Sequence, residues 1–250
     1  MSSDLVGVTS WRGLGTTTTS LVLAAALAAQ HEKGAWLVEC DPLGGVLAGR
    51  IALPRHCVGG LERLAVLANS NLGVDDVAEV AHSLGSLRVV SAPADPFRAH
   101  SCHGSRSGWL KVLRSLDAPV VLDVGRNSNA VWKVLAEVDT VVLVASPEVS
   151  AAVATNEWVR ERGRISPEAP GIGDTPLRVV FVDGPATVTF ARSQLKEELH
   201  DVWGGWFPWE PDTVTALHEG VPITDRSMRR SALAQAASEL AGELLRNGVG

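Results

Sequence analysis

The sequence predicts an α/β fold in which a doubly wound, mostly parallel sheet carries helices on both faces. Short apolar runs alternate along the chain with longer helical patterns, as expected for parallel strands joined by helical crossovers. A glycine-spaced turn separates the first apolar run from an alanine-rich helical segment. With 250 residues, 46% of them hydrophobic, the chain can bury a full core, and we expect residues 1–250 to form a single domain.

Hydrophobic periodicity places the individual elements along the chain. The predicted strands are residues 5–9, 35–39, 87–91, 118–126, 140–145 and 177–182. The predicted helices are residues 17–30, 60–68, 74–83, 129–137, 190–202 and 227–246, and one that follows Glu148 and ends near Arg162. Residues 93–107 are expected to form a polar loop, and residues 165–176 a surface connection.

Composition narrows the class of protein. The net charge of −6 argues against a protein that mainly coats nucleic acid, although a local basic face is still allowed. We expect a cytoplasmic protein, because the start of the chain has no signal-peptide pattern and the apolar run at residues 21–29 is too short to span a bilayer. The three cysteines, an odd number without close pairing, fit a reducing compartment.

Several histidines and cysteines are metal-ligand types, but their spacing matches no common zinc pattern. They are His56, Cys57, His100, Cys102 and His103. We expect them to be solvated loop residues rather than a metal site.

The turn after the first strand, residues 8–19, has the form of an anion-binding nest. Gly13 and Gly15 let successive N–H groups point into one concavity, and the following helix N-terminus adds a positive dipole end. In the common phosphate loop, G-x-x-x-x-G-K-[ST], a lysine contacts the phosphates and a hydroxyl contacts Mg²⁺. Thr16 stands at the lysine position here. From these residues alone, an ordinary strand-to-helix turn is the alternative.

Acidic residues follow two of the predicted strands. Glu39 and Asp41 end the second strand and lead into Pro42 and Gly44. Carboxylates suit a hard cation and its waters, and an acceptor near a γ-phosphate can position an attacking water. The alternative is a β-turn made by Asp-Pro-x-Gly. Asp123, at the end of a third buried run, is a ligand candidate by its place in this series and otherwise a strand-end cap.

Taken in order, these segments resemble the MinD/ParA family of P-loop ATPases. The turn resembles the family's K-G-G-x-G-K-[ST]-[ST] loop with Trp11 and Thr16 at its two lysine positions. Residues 39–44 resemble its D-x-D-P-Q-G segment, and residues 123–126 a shortened D-x-x-x-G switch in which Arg126 has no counterpart. Residues 138–148 and 208–222 resemble two further family passages, so the resemblance covers nearly the whole chain.

The resemblance implies a role for each matching residue. It implies that the phosphates of ATP or ADP are bound by Gly13, Leu14, Gly15, Thr16, Thr17 and Thr18. It implies that Mg²⁺ is held by Thr17, Glu39 and Asp123, and that the nucleotide base lies near Asp183, Pro208, Glu210 and Asp212. Asp41 would orient the attacking water. Arg12, one residue from the signature position, is a cation that could act on a phosphate.

Two functions follow from the resemblance. The chain is similar to a divergent branch without the loop lysines, some members of which accompany Tad-type pilus or secretion machinery. This implies a nucleotide-binding organiser with weak or absent hydrolysis that acts as a homodimer with a protein partner. The alternative is an active partitioning ATPase that uses an arginine instead of lysine. Three arginines near the end of one helix, Arg160, Arg162 and Arg164, permit DNA contact, but a solvated helix end is the expected reading.

Overall fold

The computed structural model describes residues 3–11, 14–70, 72–103, 108–165, 173, 175–184 and 188–247, except the side chains of residues 163–165. One eight-stranded sheet runs through these residues in the order β3-β4-β2-β5-β1-β6-β7-β8. Its strands are β1 (Leu5–Ser10), β2 (Ala35–Glu39), β3 (His82–Leu84), β4 (Leu87–Val90), β5 (Val120–Arg126), β6 (Thr140–Ala145), β7 (Leu177–Val182) and β8 (Trp203–Phe207). Only the β3–β4 pair is antiparallel in this sheet. The predicted fold class is confirmed.

Helices cover both faces of the sheet. They are α1 (Thr16–Gln30), α2 (Leu47–Arg50), α3 (Gly60–Leu67), α4 (Val74–Val80), α5 (Pro96–Ser101), α6 (Gly108–Leu113), α7 (Trp132–Leu135), α8 (Val149–Ile165), α9 (Arg192–Glu198), α10 (Pro211–His218) and α11 (Ala232–Asn247). One hydrophobic core joins α1 and α11 to the sheet, and a second core joins α3, α4, α6 and α8 to the opposite face. Because α1 lies between the sheet and α11, it is apolar on nearly all sides.

Several predicted elements differ from the observed ones. The strands at residues 35–39, 140–145 and 177–182 match, whereas β3 and β8 were not predicted. The predicted loop at 93–107 contains α5, which begins where the Asp95 carboxylate accepts the Arg98 N–H and Pro96 occupies the first turn. The predicted helix at 129–137 shortens to α7, and α11 begins only at Ala232. Most of the predicted connection at 165–176 lies outside the described residues.

The register of the sheet brings three strand ends together. Strand β5 lies between β1 and β2, with Asp123 opposite both Val8 and Glu39. The β1–β5 register shifts after Val8, so that Gly125 pairs with Thr9 and the extra residue between Asp123 and Gly125 forms a bulge. The Thr9 hydroxyl donates to the Gly125 carbonyl at 3.0 Å. The carboxyl ends of β1, β2 and β5 therefore meet at one edge, where open α/β sheets bind ligands.

Candidate functional site

The start of α1 stands at this edge with its first amides open. Gly15, the residue before the helix, has a φ of 70°, and its carbonyl accepts the Thr19 N–H at 2.8 Å. In the described part of this turn, no side chain caps the helix. Leu14 is half exposed, and Thr17 and Thr18 are partly buried in the first turn. Arg12 and Gly13, predicted to act in this loop, lie outside the described residues. A helix of 15 residues with uncapped N–H groups can bind an anion.

The residue at the lysine position points into the protein. The Thr16 side chain is buried, and its hydroxyl donates to Ser10 Oγ at 2.7 Å. This bond ties the first residue of α1 to the last residue of β1. The group at this position is thus neutral and already hydrogen-bonded, so it brings no positive charge to a phosphate.

The residue at the signature position makes an aromatic contact inside the chain. The Trp11 ring stands edge-on to the Trp158 ring of α8, with centroids 5.5 Å apart and an angle of 86° between the planes. This pair fixes the start of the loop against α8. The Trp11 Nε1 atom is buried and has no hydrogen-bond partner among the described residues.

Glu39 has a structural role that its sequence position did not reveal. Its Oε1 atom accepts the Val46 N–H at 2.6 Å and the Leu47 N–H at 2.9 Å, while Oε2 accepts the Ala92 N–H at 3.0 Å. Burial raises the pKa of this carboxyl, and the three backbone donors oppose that rise. The carboxylate holds the loop after β2 and the start of α2. Both Glu39 oxygens thus accept backbone donors, and the predicted role of Glu39 as a magnesium ligand stays a prediction.

Asp123 is the opposite case. It is 0% exposed, and neither carboxylate oxygen has a hydrogen-bond partner among the described residues. Burial, followed by the charge of Glu39, raises its pKa to about 7. The Thr17 hydroxyl and the Gly125 N–H lie near enough to lower that pKa, although neither makes a full hydrogen bond to the carboxylate. A buried carboxylate without a donor is costly unless something else completes it.

Asp41 follows β2 and lies close enough to Asp123 to affect the pKa of that carboxyl. Its Oδ1 atom accepts the Leu43 N–H at 2.8 Å, which forms the turn after β2. Its Oδ2 atom packs over Gly125, where a Cβ would lie only 2.1 Å away, so that position requires glycine. Burial raises the pKa of Asp41, whereas the Leu43 N–H and the Arg126 charge lower it. The structure thus brings Asp41, Asp123 and Thr17 together beside the start of α1.

The residues predicted to lie near the base do not share one environment. Asp183 follows β7, whose last residue, Val182, packs against Gly15 of the loop. Its backbone N–H donates to the Phe207 carbonyl at 2.8 Å, which aligns the ends of β7 and β8. Pro208, partly buried, follows β8, and Asp212 is exposed in the first turn of α10. Asp183 is therefore the member of this set whose strand end touches the loop.

Glu210 makes hydrogen bonds that the sequence did not predict, and its place near the base stays a prediction. Its carboxylate accepts the Ala232 N–H at 3.0 Å and the Thr213 hydroxyl at 2.9 Å, and it also bonds the Ser231 hydroxyl. These donors lie at the starts of α10 and α11. The Glu210 side chain is thus used to join two helix N-termini, a placement that the helix dipole favours.

Other candidate sites from the sequence find little support. In the described ranges, no group of three or more histidine, cysteine, aspartate or glutamate side chains is arranged to hold a metal ion. All three cysteines are buried free thiols, so the expectation of solvated loop residues is wrong for Cys57 and Cys102. On α8, Arg160 pairs with Glu198 at 2.6 Å and Arg162 donates to the Thr175 carbonyl at 3.1 Å, so both contact this chain. The Arg164 side chain lies outside the described set.

Among the described residues, no helix combines the length and the apolar character that a membrane span requires.

Comparison with known proteins shows the fold. No protein-family model matches the sequence, and no curated protein matches it. The structure is similar to the cell division ATPase MinD of Pyrococcus furiosus, with a TM-score of 0.74, 18% identity, and coverage of 98% of this chain and 99% of that chain. It is similar to the septum site-determining protein MinD of Pyrococcus horikoshii complexed with Mg-ADP, with a TM-score of 0.75, 16% identity, and coverage of 100% and 98%. A ParA family ATPase from Chlorobium tepidum gives a TM-score of 0.71, 12% identity, and coverage of 97% and 99%.

Proposed function

We propose that this chain is a MinD/ParA-like nucleotide-binding protein that binds ATP or ADP with Mg²⁺ and hydrolyses ATP slowly or not at all. The observation that carries the proposal is the contrast between Thr16 and Asp123. The lysine position holds a buried hydroxyl bonded to Ser10, while an unpartnered carboxylate lies near Thr17 at the start of α1. The acidic side of a Mg·nucleotide site is present without the usual cation.

The side chains at the strand ends fit a hydrated magnesium ion. Mg²⁺ prefers oxygen ligands and keeps several of its waters, so the Thr17 hydroxyl and the Asp123 carboxylate suit it. A divalent cation would also remove the cost of burying Asp123 without a partner. Asp41, partly exposed beside Asp123, is suited to accept a hydrogen bond from a water near the terminal phosphate. Glu39 supports this group by holding the loop after β2.

Weak binding and slow hydrolysis follow from the missing charge. A charge-assisted hydrogen bond contributes about 1.5 to 3 kcal/mol, so loss of the loop lysine should weaken ATP binding by about 10- to 150-fold relative to a lysine-bearing relative. A positioned cation also stabilises charge on the phosphoryl oxygens in the transition state, where an arginine contributes about 10³- to 10⁵-fold in rate. Thr16 offers only a neutral hydroxyl.

The biological role in this proposal is spatial organisation. Proteins of the same fold carry the names cell division ATPase, septum site-determining protein and ParA family ATPase. We infer a single-domain cytoplasmic protein that forms a homodimer and acts with a protein partner in a localisation, pilus or secretion machine. Another protein of similar structure, MinD of Aquifex aeolicus, forms a cell division complex with MinC, which supports a protein partner.

An active partitioning-type ATPase is the second candidate. Arg12 stands in the loop beside the signature position, and an arginine can replace a lysine at a phosphate while adding bidentate hydrogen bonds. Under this alternative, hydrolysis is readily measured and depends on Arg12. The two candidates therefore predict different turnover for the same purified protein.

The test combines calorimetry with steady-state phosphate release. Wild type should bind Mg·ATP with a Kd above about 1 µM and release phosphate near the background rate, because one phosphate-binding cation is missing. Thr16→Lys should raise the affinity, whereas Thr18→Lys, which adds the same charge two residues later, should raise it less. Rapid wild-type turnover that Arg12→Ala abolishes would establish the active ATPase instead. Sub-micromolar binding by wild type would contradict the weak-binding proposal.

A further inference from the structure

The candidate site is strongly acidic at the end of β5. Asp123 and Asp41 lie together, with Glu39 directly across the ladder from Asp123. A polyphosphate brought to this edge carries further negative charge. Because Thr16 is neutral, the negative charge of the phosphates is left to Mg²⁺ and to any other cation nearby.

Arg126 is positioned to supply that charge. It is the last residue of β5 and pairs with Ser10, the β1 residue whose hydroxyl accepts the bond from Thr16. Its side chain is exposed at the edge where α1 begins, while the preceding residues of β5 are buried. Its charge lies close enough to Asp41 to lower the pKa of that carboxyl. The guanidinium therefore belongs to the same electrostatic environment as the acidic group.

The adjoining residue provides a second, independent feature. Asn127 is only 9% exposed, and its backbone N–H donates to the Ser10 carbonyl at 2.7 Å. Its Oδ1 atom accepts Trp132 Nε1 at 2.9 Å, which fixes the orientation of the amide. The Nδ2 atom is buried and has no acceptor among the described residues. A buried amide donor without an acceptor stands beside the strand end that leads into the loop, and a phosphate oxygen is an acceptor of the type it lacks.

We propose that Arg126 is a phosphate-binding cation of this site, with the Asn127 amide as a neighbouring donor, and that it compensates in part for the absent loop lysine. The inference rests on the proposed nucleotide-binding function and extends it. It assigns the ligand's terminal phosphates to the end of β5. A guanidinium suits this role because its planar fork of N–H groups can contact two phosphate oxygens at once.

The competing explanation is that Arg126 only balances the charge of Asp41. Removing the arginine would then weaken phosphate binding indirectly, because Asp41 would repel the ligand more strongly. A double-mutant cycle separates the two explanations. If Arg126 contacts the phosphate, its removal weakens binding in an Asp41→Asn background as much as in wild type. If it only balances Asp41, the loss disappears in that background.

The experiment measures binding of Mg·ATP and of adenosine to the full chain. We expect Arg126→Gln to weaken Mg·ATP binding by about 10- to 150-fold and to leave adenosine binding unchanged, as expected for a lost charged contact to phosphate. Arg126→Lys should recover part of the loss, since it keeps the charge without the fork. Arg63→Gln is the control, because it removes an exposed arginine from a surface pair on α3.

The results distinguish the role of Arg126 from nucleotide binding by the chain. Equal Mg·ATP affinities for wild type and Arg126→Gln, or a loss that vanishes with Asp41→Asn, would overturn the role of Arg126 and leave nucleotide binding intact. Failure of wild type to bind any adenine nucleotide would overturn the proposed function and, with it, this assignment. Thermal unfolding of each variant checks that the fold remains intact when the exposed Arg126 side chain is replaced.

Discussion

Glu39 and Asp123 lie opposite each other on neighbouring strands, and both carboxylates are buried. Glu39 accepts three backbone N–H groups, whereas Asp123 has no hydrogen-bond partner in the described part of the chain. Two similar acidic positions at one edge of the sheet thus have different uses. The Glu39 carboxylate at the end of β2 is hydrogen-bonded within the fold. The Asp123 carboxylate in β5 is not, as expected for a group that binds a ligand.

The largest expected effect is the loss of Glu39. Each stranded buried donor costs about 1 to 3 kcal/mol, so we expect Glu39→Ala to lower the free energy of unfolding by about 5 kcal/mol. Glu39→Gln should lose less, because its one oxygen can still accept the Val46 and Leu47 N–H groups. Urea unfolding measures both. Glu62→Ala, which removes a partly exposed glutamate paired with Arg98, should change stability by less than about 1 kcal/mol. A similarly small loss of stability in Glu39→Ala would show that the Glu39 carboxylate does not hold the loop after β2.

Asp123 should instead make stability depend on pH. Its pKa is about 7 in the folded state against an ordinary value of 3.8, so the folded chain keeps a proton that the unfolded chain has lost. Stability therefore falls as pH rises from about 4 to about 7 and then levels off. We expect Asp123→Asn, measured with a chelator present, to exceed wild type at pH 8 by up to about 4 kcal/mol, with the difference shrinking toward pH 4. Parallel pH curves for the two proteins would contradict this.

A glycine substitution tests how tightly the Glu39 environment is packed. A Cβ on Gly45 would lie 2.4 Å from Glu39 Oε2 and 2.6 Å from the Ala92 carbonyl oxygen. We expect Gly45→Ala to destabilise the fold by about 2 kcal/mol, as overpacking does. Gly49→Ala is the matched control, because no atom lies within 4 Å of the added Cβ. Equal thermal stability of the two variants would show that the loop adapts freely.

The smallest expected effect is at Thr17. Its hydroxyl lowers the pKa of Asp123, so Thr17→Val should raise that pKa further. We expect the upper pH midpoint of the stability curve to rise by less than about 1 unit, consistent with a neutral donor that contributes about 1 kcal/mol. Thr18→Val, in the same helical turn, is the control. If Thr18→Val shifts the pH midpoint and Thr17→Val does not, the hydroxyl that acts on Asp123 belongs to Thr18 and not to Thr17.

Much of the sheet could be predicted, because its buried strands are continuous apolar runs. The boundaries of β2, β6 and β7 follow directly from such runs. Strand β8 could not be recognised, since two of its five residues are glycines. Gly204 is required there by close approach to β7, where its Cβ would lie 2.9 Å from that of Arg178. The start of α5 did carry a signal, Asp95 followed by Pro96, which the polar composition of the segment obscured.

The candidate site was predictable in position but not in the use of each residue. Spacing brought Thr17, Asp41 and Asp123 to one edge because parallel strands end together. The same spacing could not distinguish Glu39 from Asp123, since the donors on Glu39 come from residues 46, 47 and 92. Glu210 is similar, because its partners at residues 231 and 232 belong to another helix start. Hydrogen bonds between distant segments of the chain decided both cases.

The magnesium dependence of ATP binding shows whether the buried Asp123 carboxylate serves a bound metal ion. Calorimetry would compare wild type, Asp123→Asn and Asp41→Asn with ATP in excess Mg²⁺ and in a chelator. We expect wild type to bind ATP more tightly with Mg²⁺ and Asp123→Asn to lose this dependence, while the folded state of that variant is at least as stable as wild type. Full magnesium dependence in Asp123→Asn would contradict the claim that this buried carboxylate is left for a ligand.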